Sequence, residues 1–419
     1  MIITTKKYTD NSWDFRTANT KQFTHCFHGY PAMMIPQVAA RIIDEIAPSA
    51  NRLFDPYCGT GTSLVEAKLR GIEAFGIDLN PLARLIAQAK TTPLSLQILD
   101  LYLKEYVNYS FAARFDIYTV NVVTPNFPNK DFWFREREQH DLAIIKRFID
   151  NIQEPDIAQF FRIAFSETVR ESSLTKKSEF KLVRMSEEQI AKFEPDVFGI
   201  MESKLSRNRN GLKEFIKALE HKHLSHIHIC NTDTAHSLPH DIEPESIDIV
   251  VTSPPYGDSR TTVAYGQFSR LANQWLGVED ASQVDNQLMG GKKLLQTKRF
   301  DIPILDETIE RIAAIDERRA MEVASFYQDY ARSIHNVAQT LVRGGYACYV
   351  VGNRRVKGIQ LPTDEITRAL FEQANFIHHS TIIRSIPNKR MPSKNSPSNV
   401  PGMTDETMSN EYIVILQKH

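Results

Sequence analysis

The run Val250-Val251-Thr252-Ser253-Pro254-Pro255-Tyr256-Gly257 has the residue types needed to hold and activate a planar amino group. An apolar strand ends at Thr252, and two successive prolines then stiffen the backbone and remove its amide donors. Carbonyl oxygens are left facing outward, followed by an aromatic ring. The amino nitrogen of cytosine or adenine is a poor nucleophile because its lone pair is delocalised into the ring. If the Ser253 hydroxyl and the Pro254 carbonyl accept both amino hydrogens, the nitrogen moves toward tetrahedral geometry and its lone pair can attack a sulfonium methyl in line. No strong general base is required, since the methylated ammonium sheds its proton readily. Tyr256 would stack on the base, an interaction worth about 1–3 kcal/mol. A duplex base reaches such a site only when rotated out of the helix.

A second stretch, Asp55-Pro56-Tyr57-Cys58-Gly59-Thr60-Gly61-Thr62, reads as a turn that leaves a strand and enters a helix. Gly59 and Gly61 permit the sharp bend, tolerate positive φ and let a ligand approach the backbone. Amides exposed at the following helix start favour a carboxylate or phosphate. Asp78 lies at about the twenty-residue distance at which an acid grips ribose hydroxyls in dinucleotide folds. An adenosine-bearing ligand is therefore expected, and three compete. A Walker loop is excluded because no Gly-Lys-Ser/Thr follows. A nicotinamide cofactor would prefer a third glycine where this chain has Leu64. S-adenosylmethionine carries no phosphate and needs only a ribose anchor and room for its amino-acid tail.

The elements around these stretches must bring them together. Leu53-Phe54 ends a short strand, Ser63 to Arg70 has helical apolar spacing closed by Gly71, and Ile72 to Ile77 is a second strand leading into Asp78. That is the first half of a doubly wound α/β sheet. The strand pattern resumes at Ile227–Cys230 and Ile247–Val251. Ala320 to Val342 is a long helix ended by Gly344-Gly345, Tyr346–Val351 a strand, and Thr363–Gln373 a helix. Phe376–Ile383 and Tyr412–Leu416 form a closing antiparallel hairpin around the loop Pro387–Ser409. In between, Asp141–Ile149 and Asp156–Val169 are helical, and Ser178–Arg184 is a short extended piece. The expected architecture is a Rossmann-like α/β sheet from residues 1–94 and 227–419, with a mainly helical insertion at 95–226.

Composition narrows the class without naming a function. The 419 residues are 42% hydrophobic and 24% charged, as in an ordinary globular protein. No apolar run approaches a membrane span and Met1 to Asp10 lacks a signal peptide's apolar segment, so a cytoplasmic location and no membrane partner are expected. Cys26, Cys58, Cys230 and Cys348 are far apart and suit reduced thiols. With a net charge of −1, any binding to phosphates must come from a local basic face. Candidates are Lys176, Lys177, Lys181 and Arg184; Lys204, Arg207 and Arg209; Lys292, Lys293, Lys298 and Arg299; and Lys389, Arg390 and Lys394, each taken singly better read as an ordinary solvated surface, and together able to track phosphates. His221, His223, His226 and His228 lead into a strand without a Cys or carboxylate cluster, so no metal is expected. His25 and His28 have ligand-like spacing that proximity to the cofactor segment explains as well. Arg260, Tyr265 and Arg270 are candidates for the pocket of a flipped base, and helix packing accounts for Tyr265 nearly as well.

These motifs resemble those of the amino-methylating DNA methyltransferases, the bacterial N4-cytosine and N6-adenine enzymes of restriction–modification systems. Asp55 to Thr62 looks like the family's cofactor motif, Asp78 with Leu79 and Asn80 its ribose-binding acid, and Ser253 to Tyr256 its catalytic motif. The serine preceded by threonine is more typical of N4-cytosine than of N6-adenine enzymes. His28-Gly29-Tyr30-Pro31-Ala32-Met33 looks like the segment that closes over the methionine end of the cofactor. Asp233 sits where the family places an acid near the adenine amino group, and Pro387 to Pro392 is similar to a basic loop before the last strand.

The resemblance implies S-adenosylmethionine as cofactor, double-stranded DNA as substrate and a cognate restriction endonuclease that acts separately. The insertion is not matched by any family motif, and it precedes Asp233 where the corresponding class inserts after that acid. Three other readings share parts of the pattern. Adenine-N6 methylation uses the same acceptor pair. RNA guanine-N2 or protein glutamine-amide methylation uses related motifs that begin with Asp or Asn where this chain has Ser253. A catalytically silent DNA-binding protein would not need Ser253 and Tyr256 intact.

Overall fold

The strands alternate apolar side chains between two faces, which places helices on both sides of the sheet. The structure is a computed structural model describing residues 6–115, 122–220, 225–257, 264–291, 299–386, 394–395, 405–406 and 408–419. Eight strands form one sheet, in spatial order Lys6–Thr9, Phe376–Ser385, Asn410–Lys418, Leu341–Val351, Ile247–Thr252, Arg52–Asp55, Glu73–Ile77 and Ile227–Cys230. Only Asn410–Lys418 runs against the others, pairing antiparallel with both of its neighbours. The expected closing hairpin is present, and its second strand inserts beside Leu341–Val351. This is a Rossmann-like α/β sheet.

Leu53, Ile249, Val251 and Val350 pack on one face with Val38 and Ile42 of helix Pro36–Ile46 and Leu64 of helix Thr62–Leu69. Phe54, Val250 and Tyr349 point the other way, toward helices Glu317–Thr340 and Thr363–Gln373. The insertion contains the helices Leu96–Arg114, Glu136–Asp150, Pro155–Ser172 and Val197–Leu219. Its core is continuous with Leu82 and Ile86 of helix Pro81–Thr91 and with Phe268, Leu271 and Trp275 of helix Tyr265–Trp275.

Three expectations are corrected. Gly344 and Gly345 do not end the long helix; it stops at Thr340 and the strand begins at Leu341. Gly344 has φ +79°, and the pairing with Ile247–Thr252 shifts register between Ile247 and Ile249, so the glycines serve an irregularity inside the strand. Ser178–Arg184 is not a strand; Thr175 and Arg184 make an isolated bridge that folds the segment back on itself. The long helices Leu96–Arg114 and Val197–Leu219 escape the periodicity. In the first, Leu101 and Phe111 are apolar but exposed, which blurs the buried face. In the second, Gly211 interrupts a polar run because a β-carbon there would meet the Phe23 carbonyl oxygen at 2.3 Å.

Among the described residues no helix is long and apolar enough to cross a membrane. Trp275 is fully buried and meets Phe127, Phe134 and Phe165 edge-on, joining the insertion to the helix beside the cleft described next. Trp275→Ala is expected to destabilise the protein by about 3–5 kcal/mol, read from equilibrium denaturation. A loss below about 1 kcal/mol would mean that this junction packs loosely.

Candidate functional site

Two adjacent parallel strands, Arg52–Asp55 and Ile247–Thr252, end side by side. Beyond them the sheet continues in opposite directions, the switch point at which α/β sheets open a crevice. Asp55 is buried there, and its carboxylate accepts from the Thr252 hydroxyl at 2.6 Å, from the Tyr57 amide at 3.1 Å and from the Ser63 hydroxyl. Burial pushes its carboxyl up to about 6, against the pull of these three donors.

The turn that follows behaves as its glycines require. Gly59 and Gly61 have φ of +50° and +76°. A β-carbon on Gly61 would come 2.9 Å from that of Ala87, so this glycine also lets helix Pro81–Thr91 approach. The Gly59 amide donates to Asp78 at 3.1 Å, as does the Asn80 amide at 2.7 Å. Burial pushes the Asp78 carboxyl up to about 6, with these amides and Arg84 acting in the opposite sense. The Asn80 side chain caps helix Pro81–Thr91 and donates to the Tyr30 hydroxyl at 2.8 Å. Tyr30 stacks on Tyr265, with ring centres 6.0 Å apart and planes 15° from parallel. Ala32 has φ +54°, uncommon for a residue with a β-carbon.

One cleft, with about 1020 Å³ of open space, gathers these segments. It is lined by Tyr30, Pro31 and Ala32; by Asp55, Pro56, Cys58, Gly59, Thr60 and Thr62; by Asp78, Leu79 and Asn80; by Asp233; and by Ser253 and Pro255. The glycine turn thus shares a pocket with Ser253 and Pro255. Gly61, Pro254 and Tyr256 do not line it. Sequence reasoning missed Met34, Tyr57, Thr232, Thr234, Leu288 and Met289 as lining residues. Tyr57 belongs to the glycine motif itself, whereas Leu288-Met289 carries no local signal. Among the described lining residues there are three carboxylates and no Lys, Arg or His.

Ser253 donates its hydroxyl hydrogen to the Val350 carbonyl at 3.1 Å, which leaves its oxygen lone pairs free to accept. Its oxygen lies 3.4 Å from the Tyr256 hydroxyl, which donates to Glu411 at 2.9 Å. Glu411 in turn pairs with buried Arg384, whose Nε donates to the Trp13 carbonyl at 2.8 Å. The Tyr256 ring rests against Gly352, where a β-carbon would meet Cδ2 at 2.8 Å. Glu411 was not singled out by sequence, because a lone acid at the start of an apolar strand looks like a solvated end.

Other candidates separate. Lys204 and Arg207 pair with Glu167, Lys204 also with Glu171, and Arg209 with Asp100, so that group is not a free basic face. Lys177 donates to the Arg170 and Ser173 carbonyls, and Arg184 lies over Phe132. That folded-back loop sits on helix Tyr265–Trp275, the Leu182 amide donating to Gln267 at 3.3 Å. His25 bonds to Glu66 at 2.9 Å, and burial lowers His28 to about 4, so both belong to the core. His228 stacks on Phe75. Arg260, His221, His223, Lys292, Lys293, Lys298, Lys389, Arg390, the Lys394 side chain and the loop 387–392 lie outside the described residues.

No family model matches the chain. It is 40% identical over 438 aligned residues to the type II methyltransferase M.MvaI of Kocuria varians, covering 99% of this chain and 96% of that protein. It is 21% identical to the type II methyltransferase M.BsoBI of Geobacillus stearothermophilus, over 86% of this chain and 80% of that one. Among solved structures, the rRNA methyltransferase AviRa of Streptomyces viridochromogenes aligns over 93% of this chain and 86% of that one, with 11% identity and a TM-score of 0.32. The Asp55–Thr252 contact can be tested directly. Thr252→Val removes one donor from a buried carboxyl and is expected to cost about 1–3 kcal/mol of stability in chemical denaturation; an unchanged midpoint would show that the contact contributes nothing.

Proposed function

Because this chain belongs to the type II methyltransferases, the DNA methyltransferases of restriction–modification systems, we propose that it methylates the N4 amino group of cytosine in double-stranded DNA, with S-adenosylmethionine as donor. It would act as the modification partner of a separate restriction endonuclease. The observation that carries this reading is the meeting of Asp78, the Gly59 turn and Ser253 in one cleft. The charge of that cleft supports the choice of donor. Three carboxylates without a lining cation among the described residues disfavour a phosphate-bearing dinucleotide and favour a ligand with a positive centre.

In this reading Asp78 holds the ribose hydroxyls, Asp233 faces the adenine amino group, and Tyr30-Pro31-Ala32 closes over the amino-acid tail. When bound, S-adenosylmethionine supplies an electrophilic methyl group. The chain does the rest. Ser253, its hydrogen committed to Val350, accepts one amino hydrogen of the target base, and the Pro254 carbonyl accepts the other. Tyr256, held by Glu411 and Gly352, offers an aromatic face to the flipped base. Ser253 rather than an acid or amide in that position favours cytosine over adenine and over the RNA or protein substrates of related motifs. The helical insertion 95–226 supplies target recognition, and its loop with Lys176 and Lys181, seated on helix Tyr265–Trp275, is suited to track phosphates beside the cleft.

Digestion to nucleosides of DNA from cells expressing the protein, followed by mass spectrometry, is expected to yield N4-methylcytosine. N6-methyladenine instead would reassign the substrate base, and neither product would overturn the reading. A pH series tests the ribose anchor. The ionised Asp78 carboxylate accepts hydroxyl hydrogens and the protonated form does so poorly, so affinity for S-adenosylhomocysteine should fall about tenfold from about pH 7.5 to about pH 5. Asp78→Asn should bind weakly and flatten this profile. Asp55 also titrates near 6 and persists in the variant, so the difference between the two calorimetric profiles isolates Asp78; superimposable profiles would remove it from the ribose.

A further inference from the structure

The acidic cleft suits a sulfonium but opposes the other end of the same ligand. The amino-acid tail of S-adenosylmethionine carries a carboxylate, and Asp55, Asp78 and Asp233 line the cleft without a lining cation among the described residues. A charged oxygen brought out of water needs donors and a counter-charge.

A cation stands directly behind the glycine turn. Lys90, in the last turn of helix Pro81–Thr91, is fully buried at 0% exposure. Its ammonium donates to the Thr60 hydroxyl at 3.3 Å, its one hydrogen bond among the described residues. No carboxylate pairs with it there. Glu66, on the neighbouring helix, is taken by His25 and Arg70. Among the described residues Cys26 is the one group whose charge would favour the ammonium, while burial holds the thiol protonated. Burial lowers the Lys90 ammonium to about 8, so it still carries its charge at neutral pH. An ammonium buried without an anion is costly, and a site that keeps one is waiting for an anion. Thr60 lies between Lys90 and the cleft that it lines. Since its oxygen accepts from Lys90, its own hydrogen is free to be donated on the cleft side.

We infer that Thr60 and Lys90 form the anion subsite of the cleft, in which the Thr60 hydroxyl donates to the ligand's carboxylate and Lys90 supplies the counter-charge from behind it. This rests on S-adenosylmethionine being the ligand. Lys90 is a positioning residue, since it acts through Thr60. A lysine that merely completes the core would affect every adenosine ligand alike, whereas this role discriminates by carboxylate.

The experiment is a calorimetric titration of the full-length protein with S-adenosylhomocysteine and with its decarboxylated analogue, which keeps the adenosine, the thioether and the amine. Lys90→Met should weaken S-adenosylhomocysteine about tenfold, the scale of a charge-assisted hydrogen bond, and leave the decarboxylated analogue within about twofold. Thr60→Val should show the same selectivity, and it decides the matter alone should Lys90→Met fail to fold. Equal weakening of both ligands, or of neither, overturns the subsite. Failure of the wild-type protein to bind S-adenosylhomocysteine at all would overturn the donor assignment instead.

Discussion

A buried carboxyl shared by two strand ends is the constraint on which the rest of the site depends. Asp55 closes the strand before the glycine turn, and Thr252 closes the strand before the proline pair. Their hydrogen bond sets the distance between two stretches that are nearly two hundred residues apart in the chain. The same carboxylate receives the Tyr57 amide and the Ser63 hydroxyl, so it also shapes the turn and the start of the next helix. Burial acts against its ionisation, and the donors that compensate are the groups whose positions matter for chemistry. Stability and site geometry are therefore coupled through one side chain.

The second support comes from the end of the chain. Because Asn410–Lys418 inserts antiparallel beside Leu341–Val351, it carries Glu411 under the proline turn. Arg384, from the neighbouring strand, holds Glu411 in place, and the backbone at Trp13 holds Arg384. The result is a chain of charge-assisted contacts that ends on the Tyr256 hydroxyl. Gly352 completes the arrangement by leaving room for the ring. What looks like a structural hairpin thus determines where an aromatic face is presented.

Much of this was legible in the sequence, for identifiable reasons. Residues constrained by backbone chemistry announce themselves: Gly59 and Gly61 by the positive φ they permit, Pro254 and Pro255 by the donors they lack. Asp78 was legible because its spacing from the turn is a property of the strand–helix–strand unit. Side chains whose importance arises from distant neighbours were not. Glu411 and Lys90 look ordinary until the fold sets one against the Tyr256 hydroxyl and buries the other behind Thr60. Gly344 was misread as a helix end because a glycine at a strand irregularity and one at a helix stop look alike without the register. The exposed apolar side chains of Leu96–Arg114 hid a helix by weakening its period.

The insertion also cannot be separated mechanically from the chemistry. Its core runs without a break into helix Tyr265–Trp275, whose first residue lines the cleft and stacks on Tyr30. The loop bearing Lys176 and Lys181 is bonded to Gln267 and packs Phe180 against Phe268, which in turn meets Tyr30 edge-on. A force applied to that loop by a bound polymer would reach the cleft wall through packed rings rather than through a flexible linker. Packed interiors transmit such displacement because they compress little. A contact made on that loop can therefore shift Tyr30 in the cleft wall directly, and no hinge between separate domains is needed to link the two.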